Sequence, residues 1–305
     1  MAAMLVKSLI FLGIIFLAFA AKRLGICGNK TRLWVSKIIF MFTLPATIIT
    51  GFASFHPRAA FFSMCLLGFL CDCLLLAIGL FLSRGEQRSR KIMYGLTLSG
   101  YNIGCFALPM AQMILGPEGI VATCMFDLGN SLMCAGGTYT FLNSYLAEKN
   151  RGEKPTLWGN LKTLLCSWPF DTYLIMLIIA LLNIKLPPQL LAVTRPISQV
   201  NAYISMFMLG LFMEFKTSHG GFGLVAKTLL ARYGANFCLA VLFLFILPFS
   251  SVMHKVLFIT TLAPVSALSA IFVEKLQGDW ETTGLAASVS IVVSMILLPI
   301  IMVIL

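Results

Sequence analysis

Charge is what this sequence has least of. Only 11% of its 305 residues are Asp, Glu, Lys or Arg, against 59% that are apolar. A soluble domain carries about 25% charged and about 45–50% apolar residues. No water-soluble fold of this length has an interior that could hold so much apolar surface, which excludes a soluble enzyme or binding module. Histidine is scarce too: His56, His219 and His254 all fall at the ends of apolar runs. No His-based nucleophile or metal constellation converges, so an enzyme is not expected. Glycine-rich phosphate loops, the dinucleotide-binding glycine pattern and HExxH are all missing, which argues against ATP-driven transport within the chain. Long hydrophilic stretches are also absent. The longest, 148–155, leaves no room for a separate soluble domain.

Cysteine is present but unpatterned. Most of the nine sit inside apolar runs (Cys65, Cys71, Cys73, Cys124, Cys134, Cys238), where they behave as small hydrophobes. Cys71-Asp72-Cys73 lacks a second Cys/His cluster to complete four ligands, so neither a metal site nor a cofactor is expected. Ala18-Phe19-Ala20 resembles a signal-peptidase site. Lys22 and Arg23 follow that apolar run instead of preceding it, so the run is expected to be retained.

What is there is apolar sequence in runs of membrane-spanning length. Ten such runs, bounded by charge or Gly/Pro, predict ten transmembrane helices: 4–21, 33–53, 59–82, 92–115 and 119–145, then 168–182, 189–212, 228–249, 255–272 and 282–305. The net charge of +11 comes from Lys and Arg in the short loops between them, not from a nucleic-acid-binding stripe. Seventeen of the 22 basic residues fall on one set of alternate loops, and the other set holds Lys7, Arg58, Lys185, Arg195 and Lys255. By the positive-inside rule the basic side is cytoplasmic, which sets both termini outside the cytoplasm of a multi-pass plasma (cell) membrane protein. Five spans per half force the halves into opposite orientation. The expected fold is all-α and polytopic: a first five-helix repeat over 1–147, a cytoplasmic connecting loop over 148–160, and a second, inverted repeat over 161–305.

The fourth and ninth spans are interrupted. Ser99-Gly100-Tyr101-Asn102-Ile103-Gly104-Cys105-Phe106-Ala107-Leu108-Pro109 places two Gly and a Pro in one span. Thr260-Thr261-Leu262-Ala263-Pro264-Val265-Ser266-Ala267-Leu268-Ser269 places a Pro among small and hydroxyl residues in the other. A broken helix frees N–H and C=O groups that lipid cannot satisfy, so they persist only beside water, substrate or protein. A half-helix N-terminus carries about +0.5 charge and suits a carboxylate. Matched interruptions in inverted halves point to a transport site. Taken singly, each reads more readily as a simple Pro kink.

Polar residues at similar depth join them. Asp72 lies 13 residues beyond Ala59, about 20 Å along a helix and near mid-membrane. Asp127 and, one turn later, Asn130 share a face of the fifth span, and Asn236 occupies the eighth, the counterpart of the third. Intramembrane carboxylates are costly; they serve either coupling or support of the freed backbone. Asn236 is equally readable as interhelical glue. Arg232, close to the expected start of the eighth span, reads as a snorkelling side chain with a substrate anion within reach.

At these residues the chain resembles the auxin efflux carrier superfamily, which contains the plant PIN-FORMED exporters and bacterial malate or malonate permeases. The stretch Asn102 to Pro109 followed by Gly116-Pro117-Glu118-Gly119 is similar to that family's first crossover and the turn after it. Met206-Phe207-Met208-Leu209-Gly210-Leu211-Phe212-Met213 resembles its seventh-span signature, Thr43-Leu44-Pro45-Ala46 its second-span motif and Leu298-Pro299 its last span. Pro264 falls at the second crossover, with Phe272 and Lys275 near the family's Phe and charged helix end. The resemblance implies that broken helices 4 and 9 cross, with a scaffold from the first two spans of each half and a mobile transport unit from the last three. It implies a substrate-contacting Asn102 and an intramembrane Asp72. Leu76 stands where the plant carriers have Lys, Ser269 where they have a further Pro, and the long central loop is missing, so the match is nearer to short-loop permeases for small carboxylates.

The expected function is therefore alternating-access transport of a small organic anion such as malate, malonate or an auxin-like acid. Candidate substrate contacts are Asn102, Ile103, Gly104 and Pro109 at the first interruption and Pro264, Val265, Ser266 and Ser269 at the second. Asp72, Asp127, Asn130 and Asn236 are candidates for coupling or support. H+ or Na+ is the candidate coupling ion. Unwound carbonyls with Asn130 would suit Na+, as in the bile acid:sodium symporters, whose crossed-helix plan looks alike. An ion channel or a membrane receptor is the rival from another class. The partners expected are the anion and the bilayer, with a homodimer left open and no nucleic acid.

Overall fold

The computed structural model describes residues 2–53, 55, 58–146, 167–215 and 221–305. The expected connecting loop at 148–160, His56 and His219 lie outside them. Among the described residues the chain is all-helical, with no strand and a single antiparallel bridge between Tyr101 and Val265.

The first half opens with α1 (Ala2–Arg23) and a second rod made of α2 (Asn29–Ile38), a π-helical turn (Ile39–Thr43) and α3 (Leu44–Phe52). There follow α4 (Ala59–Leu82) and α5 (Arg88–Leu98), then a break and a π-helical turn (Ile103–Ala107) leading into α6 (Leu108–Leu132). A further π-helical turn (Met133–Gly137) joins α6 to α7 (Thr138–Tyr145). The second half holds α8 (Trp168–Leu181), α9 (Pro188–Phe212), α10 (Phe222–Ile246), α11 (Ser251–Thr261), α12 (Ala267–Lys275) and α13 (Trp280–Ile304).

Among the described residues five helical stretches are long and apolar enough to cross a bilayer: Asn29–Phe52, Ala59–Leu82, Ile103–Tyr145, Phe222–Ile246 and Trp280–Ile304. The third of these has 43 residues, and a straight helix of that length would reach about 65 Å, twice the hydrocarbon thickness. It does not run straight. Gly116 takes φ +67°, ψ −154° immediately before Pro117, and Gly136 takes φ +152°. Both are conformations that glycine adopts without steric penalty.

One boundary differs from the sequence expectation in a way that matters. α10 starts at Phe222, six residues before the expected 228, so Arg232 is deep in the helix and not at its end. The interruption expected in the ninth segment is present: an extended stretch separates α11 from α12.

Close packing positions the site. Gly68 on α4 and Gly129 on α6 each face the backbone of the other helix, and a Cβ at either would overlap it. Small residues at such contacts let helices approach closely. The approach aligns Asp72, one turn beyond Gly68, and Asn130, next to Gly129, with the break after α5.

Candidate functional site

The two breaks touch. α5 ends at Leu98; Ser99 is extended (ψ 147°), Gly100 takes φ +88° and Asn102 φ −82°, ψ 75° before helix resumes at Ile103. α11 ends at Thr261, and Ser266 (ψ 138°) caps α12. Tyr101 and Val265 pair across the gap, and Asn102 N–H donates to the Pro264 carbonyl at 3.0 Å.

Every freed N–H from Gly100 to Ile103 has a partner. Gly100 N–H donates to Asp72 Oδ1 (2.8 Å), Tyr101 N–H to Asn130 Oδ1 (3.0 Å) and Ile103 N–H to the Tyr101 carbonyl (3.0 Å). Asn130 in turn donates through Nδ2 to the Tyr101 carbonyl (3.3 Å) and to Asp127 Oδ1 (2.8 Å). Tyr173 of α8 donates to Asp127 Oδ2 at 2.9 Å. The Tyr101 hydroxyl donates to Asn236 Oδ1 at 2.7 Å. The chain of bonds runs from α4 through the break to α6, α8 and α10.

At the second break the partners are hydroxyls. Val265 N–H donates to Ser290 Oγ (3.0 Å), and Ser294 Oγ donates to the Leu262 carbonyl (2.7 Å). Tyr233 O–H reaches the Ser290 carbonyl at 2.8 Å. Ser266 Oγ accepts from Leu268 N–H (3.2 Å) as a helix cap and from the Cys134 thiol (2.9 Å).

Arg232 joins the two breaks. It is fully buried, which corrects the expectation of a snorkelling side chain; the earlier start of α10 is the reason. The guanidinium donates to the Thr97, Leu98 and Gly100 carbonyls on one break and to Ala263 and Pro264 on the other. Its Cζ lies 4.9 Å from the centre of the Tyr101 ring. Broken helices leave carbonyls exposed, and a planar cation with five donors is suited to collect them. The sequence carried a signal for it: Arg232 precedes Asn236 by four residues, so the two share a helix face.

A cavity of about 740 Å³ ends on this crossing. Asn102 and Val265 are in its wall, together with Ala267 and Ala270 of α12, Ser288 and Ile291 of α13 and Leu209 of α9. Arg32, Glu214 and Trp280 stand at its polar end. The wall thus includes the residue before the half-helix at Ile103 and the first residue of α12, two helix N-termini whose dipoles favour an anion. The Asn102 side-chain amide makes no hydrogen bond among the described residues.

The candidate residues therefore separate. Asn102 and Val265 face the cavity. Pro264 is in the crossing through its carbonyl. Ile103, Gly104, Pro109 and Ser269 are adjacent in the chain but outside the cavity wall. Asp72, Asp127, Asn130 and Asn236 lie behind the first break, bonded to it directly or through one another. In this conformation protein acceptors occupy the backbone N–H groups of Gly100 to Ile103. Among the described residues no group of three His, Cys, Asp or Glu could hold a metal ion.

No protein-family model and no curated protein sequence matches the chain.

Proposed function

We propose that this chain is a ten-span secondary transporter of small organic anions, built as two inverted five-helix repeats that meet at the crossing. The observation that carries the reading is the meeting of two broken helices at the floor of a large cavity, with an unbonded Asn102 amide facing into it. A carboxylate there meets two half-helix N-termini and the Asn102 donors. The scaffold would comprise α1–α3 with α8 and α9. The mobile unit would hold both breaks, carried by α4–α7 and α10–α13. In this reading the basic loops are cytoplasmic, the termini are outside, and the resemblance to the auxin efflux carriers is one of common plan.

Sodium coupling is the less favoured mechanism. The carbonyls of Gly100, Ala263 and Pro264, which an unwound-helix sodium site would use, are bonded to Arg232. That leaves a proton-coupled or uncoupled carrier, with Asp72 and Asp127 as the buried carboxylates that a proton could reach.

The test is uptake of labelled malate, malonate and indole acetate into proteoliposomes, with and without imposed pH and Na+ gradients. Saturable uptake of at least one acid, unaffected by Na+, is expected. No flux above protein-free liposomes for any acid overturns the reading. Flux that requires Na+ overturns the preference for Arg232 as the resident cation.

A further inference from the structure

α9 has two faces. Val193, Val200 and Tyr203 are exposed on one. The other carries Thr194, Ser198, Asn201 and Ser205, all buried, and one turn further Leu209, which is in the cavity wall. The steps of four, three, four and four residues keep them in one row along the helix. The row begins where the cavity ends and runs away from the polar mouth at Arg32 and Glu214.

The row is closed by short contacts. Thr43 Oγ1 donates to Asn201 Oδ1 at 2.9 Å, and Thr50 Oγ1 donates to Thr194 Oγ1 at 3.3 Å. Gln112 of α6, ten residues beyond Asn102 on the same segment, donates to the Ser198 carbonyl at 2.8 Å and to Ser198 Oγ at 3.2 Å.

Yet the bonding is incomplete. Ser205 Oγ, Asn201 Nδ2 and Gln112 Oε1 are buried with no hydrogen-bond partner among the described residues. Such groups are rare in native interiors, because each gives up its hydration without a protein partner. Three in one seam are poor packing for a permanent interior. They are far less costly in a surface that is wetted for part of a working cycle.

We propose that this seam, between the polar row of α9 and Gln112, is the second half of the translocation path. It is shut in this conformation and parts to admit water and a polar or anionic solute when the cavity side closes. Gln112 moves with the first break, so its bonds to Ser198 are the contacts that separate. This inference rests on the transporter reading and adds to it the residues that line the closed side.

The test uses full-length Ser198→Cys and Ser205→Cys, both close in volume to the native side chain, with Val200→Cys on the exposed face as control. Proteoliposomes are treated from each side with a membrane-impermeant methanethiosulfonate. Labelling is read position by position by peptide mass spectrometry, which separates these sites from the nine native cysteines. Ionised thiols react only where water reaches them, so positions 198 and 205 are expected to label from the side opposite the cavity about tenfold faster than position 200. Both positions staying inert from either side, while labelled malate or another acid is taken up, overturns the seam and leaves the transporter reading standing. Labelling without uptake of any acid removes the transporter reading, and the path with it. Should a cysteine variant fail to fold, Ser205→Ala keeps the proposal open to refutation. Its hydroxyl has no partner among the described residues, so melting is expected to hold while uptake slows about threefold. A lower melting temperature with unchanged uptake identifies a structural hydroxyl and overturns the path.

Discussion

The two breaks meet at one crossing but are held by different chemistry. Around the first, Asp72 takes the Gly100 N–H and Asn130 takes the backbone N–H and carbonyl of Tyr101. Around the second, Ser290, Ser294 and Tyr233 supply hydroxyls. Bonds to a charged group contribute about 1.5–3 kcal/mol each, and neutral ones about 0.5–1.5 kcal/mol. The first break also needs a residue in the left-handed region, Gly100, whereas the second has no residue with positive φ. The partners differ in kind: a buried carboxyl and an amide hold the first break, and hydroxyls hold the second. The Arg232 side chain reaches across both.

Replacing Arg232 is expected to have the largest effect, because it strands carbonyls on both breaks at once. Arg232→Met should lower stability by about 4 kcal/mol or more, read as a fall in melting temperature of the purified protein. Arg232→Lys should recover part of this, since one ammonium cannot reach both breaks as a planar fork does. Wild-type melting in Arg232→Met would show that the breaks do not depend on a shared cation.

Next in size is Asp72. Asp72→Leu leaves the Gly100 N–H unpaired and is expected to cost about 2–3 kcal/mol. Asp72→Asn keeps an acceptor there and should cost less than half as much. If Asp72 carries the coupled proton, Asp72→Asn also flattens the response of uptake to an imposed pH gradient. A response equal to wild type would leave Asp127 as the coupling candidate.

Gly100→Ala sharpens the contrast in backbone shape. A methyl group there finds room, its nearest neighbours being Cys134 Sγ and Ser266 Cβ at 3.5 Å. The cost is therefore conformational, about 1–2 kcal/mol. Pro264→Ala at the second break should leave melting nearly unchanged and slow turnover, because it restores a donor and lets α11 extend. Equal losses of stability in the two variants would break the contrast.

The smallest effect belongs to the hydroxyl side. Ser290→Ala removes the acceptor of the Val265 N–H and is expected to cost about 1 kcal/mol, measurable as a small shift in chemical unfolding. A loss as large as that of Asp72→Leu would make the second break as firmly held as the first.

Much of this arrangement was legible in the sequence where local chemistry writes it directly. Gly100, Asn102 and Pro264 inside apolar runs marked the interruptions, and Asp72 and Asn130 stood out because lipid excludes them. Helix length was legible only to within a turn or two, and that was enough to misplace Arg232: the charge at Lys227 set the expected start at 228, whereas residues 222–227 are the first turns of α10. The partners of the second break escaped notice because Ser290 and Ser294 are ordinary residues in a span until tertiary packing sets them against Val265 and Leu262. Tyr173 was invisible as the partner of Asp127 for the same reason, being 46 residues away in the chain.

The most direct test of the crossing as an anion site is equilibrium binding to purified wild type and Asn102→Leu, using whichever labelled acid proteoliposomes take up. Leucine keeps a similar volume and removes the amide donors facing the cavity. If the anion sits at the crossing, affinity falls at least about tenfold with melting unchanged, since one bond to a charged group exceeds 1.4 kcal/mol. Unchanged affinity in a folded Asn102→Leu would contradict it and move the anion site away from the two breaks.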